Sequence, residues 1–266
     1  MIRGTWSLNE PLVPANISAI MVRMGQEKGI SQDSLLENTH IDPAAFTDPK
    51  ARLTYQQVII LTNNMLKLCD APTLGLELGN AININQFGML GYAILSCANL
   101  RQALNLGLKY HVLIDPAFNF EVSEQENVTS VRLTSHIPIE SIYNLLCDVF
   151  LTNFISLGQF LTGLDLMPEA ININRPKPEY FELYQDYFPN CPVNWDQPRT
   201  EILIASSLLD TPTTLADEAT AKMAESQCAD ILTRMGPREG IVVKVRRILL
   251  SNPGHFPPIE TVASHL

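Results

Sequence analysis

Apolar positions recur every three or four residues through most of the first 113 positions. Ile17, Ile20, Met21 and Met24 share one helical face, with Gly25 and Gly29 near its end. Ser31 opens "SQDSLLEN" as an N-cap, and "DPAAFTDP", with two Asp-Pro steps, reads as a short helix between turns. Thr54 caps a longer helix whose apolar positions are Val58, Leu61, Met65 and Leu68. "PTLGLELGNA", "NQFGMLGYAILSC" and "NLRQALNLGLKYHVLI" follow as three more helical segments, separated by Gly and Asn.

At Asp115-Pro116 the period changes. Phe118, Phe120 and Val122 alternate with Asn119 and Glu121; after the polar turn "EQEN", Val131 and Leu133 alternate with Ser130, Arg132 and Thr134. That predicts a hairpin with one buried face. Residues 139–164 hold no Lys or Arg, but Asn144, Asp148, Asn153 and Gln159 interrupt them. A largely buried helix fits better than a membrane span. "AININR" predicts a strand through Ile171 and Ile173, "PEYFELYQDYF" a helix with an aromatic stripe, and "PVNWDQPRTEILIASSLL" a second hairpin around Asp196–Arg199. The predicted class is α+β: a helical N-terminal half packed on an antiparallel sheet, in the order β-β-α-β-α-β-β. A further helix shows Leu215, Ala219, Met223, Ile231 and Met235 on one face and ends at Gly236-Pro237, where a domain boundary falls. The last 25 residues, "VVKVRRILLSNPGHFPPIETVASHL", read as a helix, a Pro/Gly-broken turn and a second helix.

Charge divides the chain unevenly. The 266 residues are 46% hydrophobic and 17% charged, with a net charge of −10. Residues 237–266 carry four basic and two acidic side chains, which leaves 14 basic against 26 acidic before them. An acidic body of this kind is repelled by phosphate backbones and anionic membranes, so any nucleic-acid contact belongs to the C-terminal end. The five cysteines are scattered without a C-x-x-C pair, as expected of reduced, buried thiols in a cytoplasmic protein. The N-terminus lacks the unbroken apolar stretch of a signal peptide.

Catalytic signatures are lacking: no G-x-S-x-G, H-E-x-x-H, P-loop or complete dinucleotide fingerprint occurs, and no two of the five histidines stand three or four apart. The sequence therefore predicts no enzyme, cofactor or metal site. Gly88 and Gly91 suit close helix packing better than phosphate contact, because no strand precedes them. A ligand pocket is the more promising chemistry, being mostly apolar with a few placed polar groups. Phe87, Tyr92, Tyr110, His111, Phe118 and Phe120 fall within a short span bordering the predicted sheet. Tyr92, Tyr110 and His111 stand out from ordinary core residues, since buried hydroxyls and imidazoles need partners that a ligand can supply. Arg101 and Lys109 could meet an anionic head group, although solvated surface suits them better.

Three stretches, "DPKARLTYQQ", "LGLELG" and "GMLGYAILSCANLRQAL", occur in an order and spacing that resembles the arabinose-binding-like N-terminal effector domain of AraC/XylS transcription regulators. The resemblance covers roughly residues 14–210. "VKVRRILLSNPGHFPPIETVASHL" in turn resembles the start of the AraC-type DNA-binding domain, with 259–266 as the helix that braces a helix-turn-helix. The resemblance implies an effector-binding and dimerisation domain over 1–210, a linker helix over 211–236, and a helix-turn-helix domain beginning at 237 and cut off within its motif. Lys244, Arg246 and Arg247 are its candidate DNA-contacting residues. It further implies a small, apolar or amphipathic effector, a homodimer, no membrane, and DNA binding in a longer parent protein. A stand-alone small-molecule carrier or an unrecognised enzyme is the alternative expectation.

Overall fold

The structure is a computed structural model describing residues 8–115, 118–135 and 140–235. The helix-turn-helix start expected over 237–266, with Lys244, Arg246 and Arg247, lies outside the described residues. Strand β1 (Pro11–Pro14) leads into α1 (Ala15–Glu27) and the single turn α2 (Gln32–Leu35). The Ser31 hydroxyl accepts the Ser34 N–H at 3.1 Å, as expected of that cap. Strand β2 (Arg52–Thr54) pairs antiparallel with β1, and α3 (Tyr55–Leu68) starts on a capping box in which Thr54 and Gln57 satisfy each other's backbone N–H groups. Helices α4 (Leu74–Ala81), α5 (Gly88–Leu95) and α6 (Leu100–Tyr110) complete this half. The β1–β2 ribbon is an addition to the helical pattern. Strands of three and four residues, one of them bounded by prolines, are too short to display an alternation.

The predicted hairpin forms from β3 (Phe118–Gln125) and β4 (Val128–Ser135), with Glu126 at positive φ in its two-residue turn. Helix α7 (Glu140–Thr162) follows, then β5 (Ala170–Asn172), a 3-10 segment over Phe181–Asp186 where an aromatic helix was expected, β6 (Val193–Asn194) and β7 (Glu201–Ala205). The second hairpin does not form. The sheet order is β3-β4-β7-β5-β6, so β5 separates β6 from β7, and β5 and β6 run parallel. Burial explains the rearrangement. Ile202 and Ile204 give β7 a buried apolar face that sits between Val131 of β4 and Ile171 of β5, whereas the two-residue β6 offers only the half-buried Val193 and takes the edge. On the opposite face, Glu201 accepts from Ser130, Arg132 and Asn172 at 2.6, 2.7 and 2.9 Å. Burial pushes its carboxyl upward, and these three donors outweigh that effect to hold it below its ordinary value.

Helix α7 belongs to three cores at once. Ile142, Cys147, Leu151 and Ile155 pack on the sheet; Leu145 packs among α1, α3 and α4; Leu161 packs among α5, α6 and the last helix. It is long and apolar enough to cross a membrane by length and composition alone, yet Asp148 is buried and Asn153 is hydrogen-bonded inside the protein. Its contact with α4 is backbone to backbone. A Cβ on Gly75 would lie 2.7 Å from the Leu145 carbonyl, and one on Gly79 would collide with Val149 O and Thr152 Oγ1. Asn153 Nδ2 then donates to the Gly79 and Ile82 carbonyls at 3.0 and 2.7 Å, covering acceptors that the end of α4 leaves open.

The other flank of α7 is fixed by a buried ion pair. Arg175 Nη2 donates to both oxygens of Asp148 at 2.8 and 3.0 Å, Nη1 donates to the Asn144 carbonyl, and Tyr184 donates to Asp148 at 2.8 Å. The guanidinium lies 5.6 Å over the Trp195 ring, so one side chain gathers residues 173–197 onto the helix.

The last described helix, α8 (Glu218–Met235), buries a different face from the one expected. Ala224 and Cys228 are its buried residues, whereas Met223 and the preceding Leu215 are 58% and 59% exposed. Small side chains allow α8 to lie close on α5, which a face of Leu and Met would have held away.

Gly79→Ala should destabilise the protein by about 1–3 kcal/mol through overpacking. Gly158→Ala, on α7 with nothing within 4 Å of the added Cβ, should be neutral or stabilising by up to about 1 kcal/mol. Urea denaturation of the two variants makes the comparison; equal midpoints would contradict the close crossing.

Candidate functional site

Helix α6 starts on Asn99, whose side chain accepts the Gln102 N–H at 2.9 Å, and ends in a 3-10 turn over His111–Leu113. The Ile114 and Asp115 N–H groups both bond the His111 carbonyl at 2.9 Å, which closes that turn. His111 Nδ1 lies 2.9 Å from the Leu108 carbonyl. A carbonyl only accepts, so Nδ1 is the donor in this contact, and in the tautomer that leaves Nε2 without a proton that nitrogen is an acceptor.

The His111 ring stands edge-on to Phe120 of β3, with centroids 5.6 Å apart at 88°. Phe120 meets Phe150 of α7 at 5.7 Å, and Phe150 meets Phe154 at 5.9 Å. Four rings thus form a row from the end of α6, across the first strand, onto the central helix. Phe150 is buried, and His111, Phe120 and Phe154 are half-buried. Such pairs contribute roughly 0.5–1.5 kcal/mol each beyond burial.

The same turn is tied to the N-terminal half. Arg52 Nη1 reaches the Leu12 and Leu113 carbonyls at 3.3 and 3.4 Å, and the Tyr55 hydroxyl donates to the Asp115 carboxylate. Burial lowers the Arg52 guanidinium from its ordinary value. The junction therefore combines an aromatic row, an imidazole acceptor, a carboxylate and a guanidinium. That set suits holding a small molecule by shape and a few polar contacts. Among the described residues, no group of three or more His, Cys, Asp or Glu is placed to hold a metal ion.

The structure brings His111 and Phe120 together and disperses the other four pocket candidates. Phe118 is buried in the sheet core. Tyr110 is 2% exposed and packs with Leu90, Ile94 and Leu106, with the Lys109 ammonium 5.0 Å over its ring. Phe87 is half-buried between the two helical clusters. Tyr92 is 59% exposed, so the premise of a buried hydroxyl fails there. Gly91 sits against the Ile84 carbonyl, where a Cβ would collide, so it serves packing. The two cations considered for an anionic head group are occupied: Arg101 pairs with Glu124 and Asp210 at 2.9 and 2.8 Å, and Lys109 with Glu225 at 2.7 Å.

Phe150, Phe154, Arg52 and Tyr55 were not singled out in the sequence. Phe150 and Phe154 are spaced one turn apart in an apolar helix and look like core positions. Only the fold reveals that both lie in line with Phe120.

Comparison with known proteins gives this chain a family. The arabinose-binding domain of AraC transcription regulator, N-terminal, matches residues 29–213. The chain belongs to the AraC family of transcription regulators. It is 30% identical over 255 residues to the ornithine utilization regulator of Pseudomonas aeruginosa, spanning 96% of this chain and 75% of that protein. An uncharacterized HTH-type transcriptional regulator of Mycobacterium tuberculosis is 24% identical over 258 residues, spanning 95% of this chain and 75% of that one. Among solved structures, the transcriptional regulator CdpR from Pseudomonas aeruginosa shares the fold, with a TM-score of 0.60 and 15% identity over 99% of this chain and 76% of that one.

Proposed function

We propose that the chain is the effector-sensing part of a DNA-binding regulator, and that the effector is a small apolar or amphipathic molecule held at the aromatic row. The observation that carries this reading is the edge-on contact of His111 with Phe120, which sets the imidazole beside rings that are only half-buried. A hydroxyl or amine of the ligand would donate to Nε2, and its apolar body would cover Phe120 and Phe154. One relative is named as an ornithine utilization regulator, so L-ornithine and other amines belong in a ligand panel beside aromatic and aliphatic acids.

His111→Phe keeps the ring and removes the acceptor. In a transcription reporter built on the parent regulator, it should weaken the response to the active panel member by about 0.5–1.5 kcal/mol, up to roughly tenfold. The melting temperature should stay close to wild type. A lower melting temperature with an unchanged response would assign His111 to packing and overturn the reading.

The regulator reading also calls for two-fold symmetry, since paired half-sites on DNA are read by paired protomers. We place the dimer surface at the corner where α7 ends and the chain enters α8. Phe160, Leu164, Leu215 and Met223 are each more than half exposed, and the Thr214 N–H bonds the Leu161 carbonyl at 2.8 Å, drawing Leu215 to the end of α7. Helix α7 contributes through its last turns, where Phe160 is its exposed large apolar side chain among the described residues. Sedimentation at tens of micromolar should show a dimer that Leu215→Glu dissociates. Monomer alone in the unsubstituted chain would remove this surface.

A further inference from the structure

The turn that ends α6 has two occupied faces. His111 on one face meets Phe120, and through it Phe150 and Phe154. Leu113 and Ile114, on the other, pack into the cluster that holds Ala224 and Cys228 of α8, beside Ala229 and Leu232. We infer that this turn is the coupling element through which an occupant of the aromatic row acts on α8.

Three features support a mechanical link. The first is rigidity within the turn: Ile114 and Asp115 both bond the His111 carbonyl, so a shift of His111 carries the following residues with it. The second is how α8 is held. Its entry is pinned, with the Thr213 hydroxyl donating to the Cys97 carbonyl, the Thr214 N–H to Leu161 and the Asp217 N–H to Ser96 at 3.0 Å. Its second half instead rests on side-chain packing against the turn and α5. A helix held by hydrogen bonds at its entry and by side-chain packing beyond it responds to a shift of that packing by tilting, and the tilted end leads into residues 236 onward. The third concerns which contact dominates. Lys109–Glu225 also joins α6 to α8, but its side chains are 60% and 39% exposed, and pairs of that kind contribute little. The apolar contact of Leu113 and Ile114 therefore transmits the displacement.

For such a link to regulate, the ligand must bind one position of the turn better than the other. In that respect the inference rests on the effector reading. The coupling itself can be measured without any ligand.

Hydrogen exchange on the whole chain reads it directly. Phe120→Leu removes the ring facing His111 and leaves the hydrogen bonds of the turn alone. It should raise exchange at amides 226–233 roughly fivefold, while amides of α1 stay at the wild-type rate. In a Leu113→Ala background, where the far side of the turn is already loosened, the same substitution should add less than about a further twofold. Should Phe120→Leu fail to fold, His111→Gln is read in the same way. Wild-type exchange in α8 alongside faster exchange in β3 and β4 would overturn the coupling, as would effects that multiply independently in the double variant. A reporter assay that refutes the effector site leaves this exchange result standing, so the two failures are distinguishable.

Discussion

Everything in this fold depends on how closely α4 can approach α7. Gly75 and Gly79 stand one turn apart, and each lies where a methyl group would strike the α7 backbone. At that separation α7 can be shared: Leu145 faces the N-terminal helices while Ile142, Leu151 and Ile155, on its other side, face the sheet. Were the crossing wider by the width of a side chain, α7 could fill one core well or the other, but not both. The buried Arg175–Asp148 pair acts on the same helix from the sheet side. Removing either partner would leave a buried charge uncompensated, so the pair fixes the register of residues 173–197 against α7 whatever its net contribution to stability.

The candidate site is a consequence of that arrangement. Because α7 runs along the sheet, Phe150 and Phe154 come into line with Phe120, and because α6 ends beside β3, His111 closes the row. The polar groups around it come from the N-terminal half, Arg52 from β2 and Tyr55 from the start of α3, so that half, α6 and the hairpin meet at one turn.

Local signals in the sequence were sound wherever the governing physics is local. Ser31 and Thr54 cap the helices they were expected to cap, and Phe118, Phe120, Val131 and Leu133 form a hairpin. The 139–164 segment is a core helix because its polar residues find partners inside the protein. Legibility ended where distant segments compete. Nothing local in "VNWDQPRTEILIA" shows that β5 will separate its two strands; that outcome depends on Val131 and Ile171 flanking Ile202. The buried face of α8 was misread because hydrophobicity favoured Leu215 and Met223, whereas close packing on α5 selected Ala224 and Cys228. Of the six pocket candidates, His111 and Phe120 make a ring-to-ring contact, whereas Phe87, Tyr110 and Phe118 are divided among separate cores and Tyr92 is exposed, since sequence proximity brought the six together and side-chain direction separates them. Arg101 and Lys109 lost their candidacy to carboxylates 23 to 116 residues away, which no short motif announces.

The central claim, that the row of rings at the end of α6 holds a small molecule, is tested most directly by native mass spectrometry. The measurement compares the purified chain with a His111→Ala/Phe120→Ala double variant, each incubated with the same panel of amines and of aromatic and aliphatic acids. The account predicts a small-molecule mass increment on the unsubstituted chain that disappears from the folded double variant. An increment that persists undiminished in the double variant would contradict it.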